Sequence, residues 1–164
     1  MSDTNTTPSS SSSPSSPSIG SKVVAAAESM VGKYPYSWGG GDNDGATVGI
    51  IQKIPPYCDD RNVVGFDCSG LAKYAVYQGS GVSIIHKAQI QYDNAPTKVP
   101  LDEKQPGDLV FFGKSTTSIT HVAIYAGDDM MIEASGHNDD LSGIPVRKVE
   151  LRTNNIISSA ARYW

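Results

Sequence analysis

The apolar side chains in the first half of the chain recur every three or four residues, which is the spacing of one face of a helix. This spacing predicts a helix over residues 21–33, with Ser21 as its N-cap and Gly32 near its end. A second helix is predicted over residues 68–78, because the same period continues and glycines follow it. A short third helix is predicted over residues 88–92.

The second half of the chain has a different pattern, in which short apolar or alternating runs are separated by Gly, Asp and Pro. The predicted strands are residues 108–112, 120–126, 130–135, 146–151 and 157–163. Helices followed by strands predict an α+β fold, with N-terminal helices packed on a central antiparallel sheet. Residues 42–65 show little periodicity, and we expect them to form an irregular surface excursion.

The composition changes sharply near residue 18. Residues 1–18 are almost entirely Ser, Thr and Pro, so they cannot bury enough apolar surface to offset the entropy of ordering. We expect a disordered tail or linker there and one folded domain over residues 19–164, which is long enough to enclose a core. No apolar run in the sequence has the length of a signal peptide or a membrane span.

The charge of the chain argues against nucleic acid as a partner. The formal net charge is −4, from 13 basic and 17 acidic residues, and the basic residues form no cluster. Phosphate binding requires clustered Lys and Arg, so the sequence predicts no nucleic-acid partner.

Cys68 lies at the predicted start of the second helix. A thiol attacks as the thiolate, and the unpaired N–H groups and partial positive charge of a helix N-terminus favour that anion. The same N–H groups can bind the oxyanion that forms when a carbonyl is attacked. Ser69 and Gly70 are small, which leaves room for a substrate. Two plainer interpretations are a buried structural cysteine and a disulfide with Cys58.

A cysteine nucleophile needs a base, which is usually histidine. The chain has three histidines. His86 lies between the predicted helices and the predicted sheet, and His137 lies in a polar loop. His121 begins a predicted strand after a Ser- and Thr-rich segment. Because a strand holds a side chain more firmly than a loop does, His121 is the strongest candidate, although any single histidine is often only structural.

Glu133 is a charged residue among apolar neighbours in the predicted strand that follows the one begun by His121. A three-residue turn between these strands, or a shifted register, would place Glu133 on the same sheet face as His121, opposite or diagonal to it. A two-residue turn would place it on the other face. On the shared face Glu133 could orient the imidazole as a third catalytic group. The alternative is a solvent-facing glutamate on an amphipathic strand.

Metal binding is a competing use of Cys and His. Structural zinc sites favour close pairs of ligands such as C-x2-C or H-x3-H, and the sequence contains no such pair. The sequence therefore predicts neither a metal ion nor another cofactor.

Four segments together resemble the NlpC/P60 family of cysteine peptidases. They are residues 34–40 (YPYSWGG), 65–71 (GFDCSGL), 105–112 (QPGDLVFF) and 120–127 (THVAIYAG). Each segment alone is a weak signal, but four in the family's order are specific. The resemblance extends over about residues 21–164.

The resemblance implies a papain-like α+β fold and hydrolysis of peptidoglycan stem peptides. The usual bond joins D-γ-glutamyl to a diamino acid, either meso-diaminopimelate or lysine. Cys68 matches the family's nucleophile and His121 its base. The positions that match substrate-binding residues are Tyr36, Asp67, Ser69, His86 and Gln91.

Two departures from the family pattern bear on the site. The third polar position is most often His in this family, and here it is Glu133. This Glu, with the long insert before residue 65, resembles the subgroup typified by mycobacterial Rip-type endopeptidases. In that subgroup Pro precedes the residue matching His86 and Ser follows it by two, whereas this chain has Ile85 and Ala88.

The resemblance leaves other functions open. An amidase or acyltransferase could use the same fold, although lipid-acting relatives generally carry His before Cys in the chain. A catalytically silent wall-binding domain and an antibacterial toxin with the same hydrolytic activity are further alternatives. We expect a monomer that acts on peptidoglycan outside the cytoplasm, as an extracytoplasmic or secreted protein.

Overall fold

The computed structural model describes residues 18–55, 57–136 and 145–164. Three α-helices occur in this part of the chain: α1 (Ile19–Glu28), α2 (Cys68–Ser80) and α3 (Ala88–Asp93). The strands are β1 (Thr47–Val48), β2 (Ile51–Gln52), β3 (Cys58–Asp59), β4 (Val64–Gly65), β5 (Thr97–Pro100), β6 (Leu109–Gly113), β7 (Ile119–Gly127), β8 (Met130–Glu133), β9 (Arg147–Glu150) and β10 (Ser159–Arg162). A short 3₁₀ turn follows β5.

Six of the strands form one antiparallel sheet in the order β5-β10-β6-β7-β8-β9. The larger hydrophobic core lies between the helices and one face of this sheet, and Leu71, Phe111 and Ile124 are among its fully buried members. A smaller cluster that includes Val110 and Met131 covers the other face. The α+β class and the helix-on-antiparallel-sheet architecture expected from the sequence are confirmed.

Helix α1 differs from its predicted bounds at both ends. Ser18, not Ser21, is the N-cap, because its side chain accepts a hydrogen bond from the Ser21 N–H. The helix stops at Glu28, although the apolar period runs further. Gly32 has a φ of 78°, which is not helical, and donates its N–H to the carbonyl of Val146, the residue before β9, at 2.8 Å.

The segment 42–65 is more regular than its composition predicts. It contains two small antiparallel pairs, β1 with β4 and β2 with β3. Strands of two residues are too short to show an alternating pattern, which explains why no residue pattern indicated them. The edge strand β5 was also missed, because Val99 is its one buried residue and Pro100 ends it.

The tail expected over residues 1–18 lies outside the described residues except for Ser18, which belongs to the folded part as the cap of α1. His137 also lies outside them. Within the residues described, no helix has both the length and the apolar character needed to cross a membrane.

Candidate active site

Helix α2 begins at Cys68 because Asp67 caps it. Asp67 has an extended backbone, and its Oδ1 accepts the Gly70 N–H at 2.7 Å. Its Oδ2 accepts the Gly39 N–H at 2.9 Å, which ties the upstream glycine run to the helix start. Cys68 is thereby held in the first turn, where the helix dipole favours an anion.

The backbone around Cys68 is packed closely enough to require glycine. A Cβ on Gly70 would lie 1.9 Å from the carbonyl oxygen of Gly40, and the Asp67 N–H donates to that same oxygen at 3.0 Å. The glycine run before residue 42 is therefore a close-packed support for helix α2.

Two backbone N–H groups in the first turn of α2 are not used in capping the helix. Gly70 donates to the Asp67 side chain and Leu71 to the Asp67 carbonyl. The N–H groups of Cys68 and Ser69 have no acceptor within the described part of the chain. They are therefore available to a developing oxyanion, as the first N–H groups of a helix generally are.

His121 and Glu133 meet where β7 begins and β8 ends. Nε2 of His121 lies 2.7 Å from Oε1 of Glu133. Cys68 also acts on the His121 ring, because hydrogen bonding with its thiol and its charge both raise the pKa of His121. Since Nε2 is engaged by Glu133, Nδ1 is the atom left to face Cys68.

The turn between β7 and β8 combines a two-residue loop with a β-bulge, a combination that the sequence did not predict. Its loop has two residues, Asp128 and Asp129, both with positive φ, which alone would put Glu133 on the wrong face. A β-bulge between Tyr125 and Gly127 adds one residue to β7 and corrects the register. Glu133 is consequently diagonal to His121 on the same face.

Glu133 is fully buried and is surrounded by donors other than His121. Nε and Nη2 of Arg147 lie 2.9 and 2.8 Å from Oε2. Arg152 donates through Nη1 to Oε2 at 3.0 Å and through Nη2 to Oε1 at 2.8 Å. Sequence reasoning missed both arginines. Arg147 could have been found from the β8–β9 register, because it pairs directly with Glu133.

These contacts set the protonation states of the pair. Burial lowers the pKa of His121, but hydrogen bonds and charge from Cys68 and Glu133 outweigh it and raise that pKa to about 9. Burial raises the pKa of Glu133, but hydrogen bonds from His121 and Arg152 hold it well below its ordinary value. At neutral pH the pair is therefore an imidazolium facing a carboxylate.

Tyr36 lies beside the nucleophile through a backbone bridge to Phe66. Burial, followed by the negative charges of Cys68 and Asp67, raises the pKa of Tyr36 far above its ordinary value. The hydroxyl is therefore neutral at any working pH and can act as a donor.

His86 is joined to the cap of the nucleophile helix. Its Nε2 lies 2.6 Å from Oδ1 of Asp67, and its side chain is about one-quarter exposed. Ser69 and Asp67 are nearly buried, and the Ser69 hydroxyl donates to Oδ1 of Asp67 at 3.3 Å. These three residues form one connected group beside Cys68, and their contact with a substrate stays a prediction.

Gln91, which the sequence match assigns to substrate binding, is enclosed in this structure, and its contact with a substrate stays a prediction. Its side chain has no exposed surface, and its amide nitrogen donates to the carbonyls of Ser69 and Ile85 at 2.9 and 2.8 Å. The sequence match placed Gln91 near the site, but it could not show that the side chain points inward from α3. Gln91 supports the helix that carries Cys68.

Cys58 and Cys68 are both free thiols. Cys58 lies in β3 with its Sγ 3.8 Å from the Gln52 side-chain oxygen. The disulfide interpretation therefore does not describe this structure. Within the described ranges, no cluster of three or more His, Cys, Asp or Glu side chains is arranged to hold a metal ion.

Comparison with known proteins gives related sequences and structures. The NlpC/P60 family model matches residues 32–158. The peptidoglycan endopeptidase RipB of Mycobacterium tuberculosis is 42% identical over 126 residues, which are 77% of this chain and 47% of that protein. The chain thus spans less than half the length of this curated relative.

Solved structures show the same fold. A structure of the peptidoglycan hydrolase RipB from M. tuberculosis matches with a TM-score of 0.72 and 36% identity, over 88% of this chain and 64% of that one. RipD of the same species, described as a non-catalytic NlpC/p60 domain protein adapted to peptidoglycan binding, matches with a TM-score of 0.72 and 30% identity, over 91% of this chain and 100% of that one. The family match over most of the sequence and these shared folds show that the chain belongs to the NlpC/P60 family.

Proposed function

We propose that this protein is a cysteine peptidase that hydrolyses an amide bond in bacterial peptidoglycan stem peptides. The observation that carries the proposal is the convergence of three side chains: Nε2 of His121 lies 2.7 Å from Glu133, and Cys68 raises the pKa of the same ring. The relatives named peptidoglycan endopeptidases, at up to 42% identity, support the substrate class. The subgroup resemblance noted in the sequence points the same way.

The proposed mechanism is acyl transfer through a thioester. The Cys68 thiolate attacks the scissile carbonyl carbon, and the oxyanion is held by the Cys68 N–H and the neutral Tyr36 hydroxyl. His121 gives its proton to the leaving amine as the carbon–nitrogen bond breaks. The neutral imidazole then takes a proton from water, which attacks the thioester and releases the carboxylic acid. The cycle returns the proton to His121 and requires no cofactor.

The proposed bond joins D-γ-glutamyl to meso-diaminopimelate or lysine. Tyr36, Asp67, Ser69 and His86 are the proposed substrate-binding residues, because they surround Cys68 at the start of α2. Peptidoglycan lies outside the cytoplasm, so the proposed place of action is extracytoplasmic. The proposed functional unit is a monomer.

The RipD comparison favours one second candidate, a wall-binding domain without activity. That protein shares the fold at 30% identity and is described as non-catalytic. The geometry of this chain argues for activity, because a nucleophile, a base and an orienting carboxylate are all present and in contact. A binding domain would have no need for the fully buried carboxylate behind the histidine.

The test is digestion of purified peptidoglycan, with the soluble fragments identified by mass. We expect fragments with a new glutamyl γ-carboxylate and a new free amine on the diamino acid. Release of intact stem peptides cut from the muramoyl lactyl group would instead show an amidase. Tight sedimentation of the protein with the wall, without any released fragment, would favour the binding domain.

A further inference from the structure

Glu133 poses an electrostatic problem that His121 alone does not solve. A fully buried carboxylate is costly unless it is paired and hydrogen-bonded. In the mechanism proposed above, His121 loses its positive charge each time it protonates the leaving amine. At that moment a carboxylate paired only with His121 would face a neutral ring and would tend to take up a proton.

Arg147 and Arg152 supply the charge that His121 gives up. Arg147 binds only Oε2 of Glu133, through two nitrogens. Arg152 spans both oxygens, and its Nη2 donates to Oε1 at 2.8 Å. Oε1 is also the oxygen that lies 2.7 Å from Nε2 of His121. Arg152 therefore shares an acceptor atom with the proposed base.

A second contact links Arg152 to His121 through an aromatic ring. The Arg152 guanidinium lies over the Phe112 ring, 5.3 Å from its centroid. The Phe112 and His121 rings are 5.7 Å apart and tilted by 43°. Phe112 pairs with His121 across the β6–β7 ladder, so this ring is fixed by the sheet. Arg152 is held on one side by the carboxylate and on another by the ring.

We propose that Arg152, assisted by Arg147, is a positioning residue for the reaction: it fixes Oε1 of Glu133 against Nε2 of His121 and keeps Glu133 ionised throughout the cycle. This inference rests on the proposed cysteine-peptidase function. The two arginines and the carboxylate sum to one positive charge, whatever the state of His121. The proton consequently moves among water, His121 and the leaving amine, and never to Glu133.

The two arginines differ in their expected effect. Loss of Arg147 leaves Oε2 bonded by Arg152 and leaves Oε1 untouched. Loss of Arg152 removes one donor from each oxygen and the support behind Phe112. Arg152 is therefore the residue whose replacement tests the idea most directly.

The charged groups that face Glu133 define what a pH measurement reports. Among the residues that the structure describes, they are His121 from β7, Arg147 from β9 and Arg152 from the segment after β9. Cys68 from α2 acts on the His121 ring. A shift in the acidic limb of a pH profile on replacing Arg152 therefore reports protonation within this group.

The experiment compares Arg152→Met with Arg152→Lys and with Lys148→Met as a matched control. Lys148 lies in β9 next to Arg147, but it pairs with Glu28 on the opposite face of the sheet, so its replacement removes the same charge away from the site. All variants carry Cys58→Ser, so that iodoacetamide reports Cys68 alone. Cys68 alkylation rate and peptidoglycan hydrolysis are measured against pH, and circular dichroism checks folding.

For Arg152→Met we expect kcat to fall by about tenfold or more with little change in KM. Losses of this size are typical when a residue that orients a functional side chain is replaced. The acidic limbs of alkylation and hydrolysis should both move to higher pH, because Glu133 is then easier to protonate. Arg152→Lys should recover part of both effects, and Lys148→Met should match its parent. The proposal would be overturned if Arg152→Met kept the wild-type kcat and the wild-type acidic limbs of both pH profiles. It would also be overturned if Lys148→Met shifted those limbs as far as Arg152→Met does.

One outcome separates this proposal from the proposed function, and a second variant covers the case in which Arg152→Met does not fold. Alkylation needs no peptidoglycan, so a shifted alkylation limb supports the role of Arg152 even if the wild type cuts no stem peptide. If Arg152→Met does not fold, Arg152→Lys carries the test: a wild-type kcat and pH profile in that variant would show that a single-pronged cation suffices, which contradicts positioning by a two-pronged contact.

Discussion

His121 is the residue on which the proposed chemistry converges. Its side chain is largely enclosed, which by itself favours the neutral form, yet hydrogen bonds and charge from Cys68 and Glu133 raise its pKa to about 9. In the proposed mechanism the imidazolium protonates the leaving amine, so the form that this mechanism requires persists through neutral pH and is lost as the pH rises through about 9. The strand position of His121 was predictable from the sequence, whereas its charge state required the structure.

This charge state gives a prediction about pH. We expect kcat/KM to fall on the alkaline side with a midpoint near pH 9, where His121 loses its proton. The free energy of unfolding should change with pH in the same direction as activity. A raised pKa in the folded state stabilises the protein below the ordinary histidine pKa, and this contribution is lost as the pH rises toward about 9. An alkaline midpoint near the ordinary histidine value would contradict the Cys68–His121–Glu133 contacts.

Replacing Glu133 by Gln tests the third group. The amide oxygen of the introduced side chain could still accept from His121, so activity should fall partially and not vanish. Two arginines would then face a neutral side chain, and we expect the free energy of unfolding to drop by about 2 kcal/mol, less than for a wholly buried pair because both arginines reach solvent. Denaturant unfolding and hydrolysis rates measure the two effects.

Glu150→Gln is the matched control for that variant, since it removes an exposed carboxylate from the adjacent strand β9. It should leave rate and stability near wild type. Wild-type activity in Glu133→Gln would reduce Glu133 to a structural residue.

At the level of elements, the sequence predicted which segments form strands, but it did not predict the register in which those strands pair. The alternation of β7 and β8 was visible in the residue pattern, and the structure has both strands. The sheet face that Glu133 occupies depends on the β-bulge between Tyr125 and Gly127, and no residue pattern in the sequence predicts that bulge. Likewise, the inward direction of the Gln91 side chain and the contact of Arg152 with Glu133 depend on how distant elements pack. Neither could be predicted from local residue spacing.

The start of α1 offers a prediction that separates the structure from the sequence expectation. Ser18→Ala removes the side-chain acceptor of the Ser21 N–H and should cost about 1 kcal/mol of stability. Ser21→Ala removes only a hydroxyl that donates to the Ser18 carbonyl and should cost less. Thermal unfolding of the two variants distinguishes them. A larger loss from Ser21→Ala would restore Ser21 as the N-cap.

Across the whole molecule, the site lies at one end of the sheet and a separate buried ion pair lies at the other. Asp108, just before β6, is fully buried and accepts from Nε and Nη2 of Arg162, both at 2.8 Å. This pair joins β6 to β10, whereas His121 pairs with Phe112 at the far end of β6. Stability and chemistry are thus carried by different ends of the same strands.

Asp108→Asn should therefore destabilise the protein without changing the chemistry. Removing one partner of a buried pair costs about 3 kcal/mol, so we expect a lower denaturation midpoint. The rate per folded molecule should stay at the wild-type value. Asp102→Asn, which alters an exposed carboxylate in the nearby 3₁₀ turn, is the control. A loss of kcat in folded Asp108→Asn would show that the two ends are coupled.

The most direct test of the central claim is hydrolysis of purified peptidoglycan by Cys68→Ala and Cys58→Ala beside the wild type. Both variants remove one free thiol, but of the two cysteines only Cys68 is among the groups that raise the pKa of His121. The proposal predicts that fragment release vanishes with Cys68→Ala and continues with Cys58→Ala. Undiminished release by folded Cys68→Ala would contradict it.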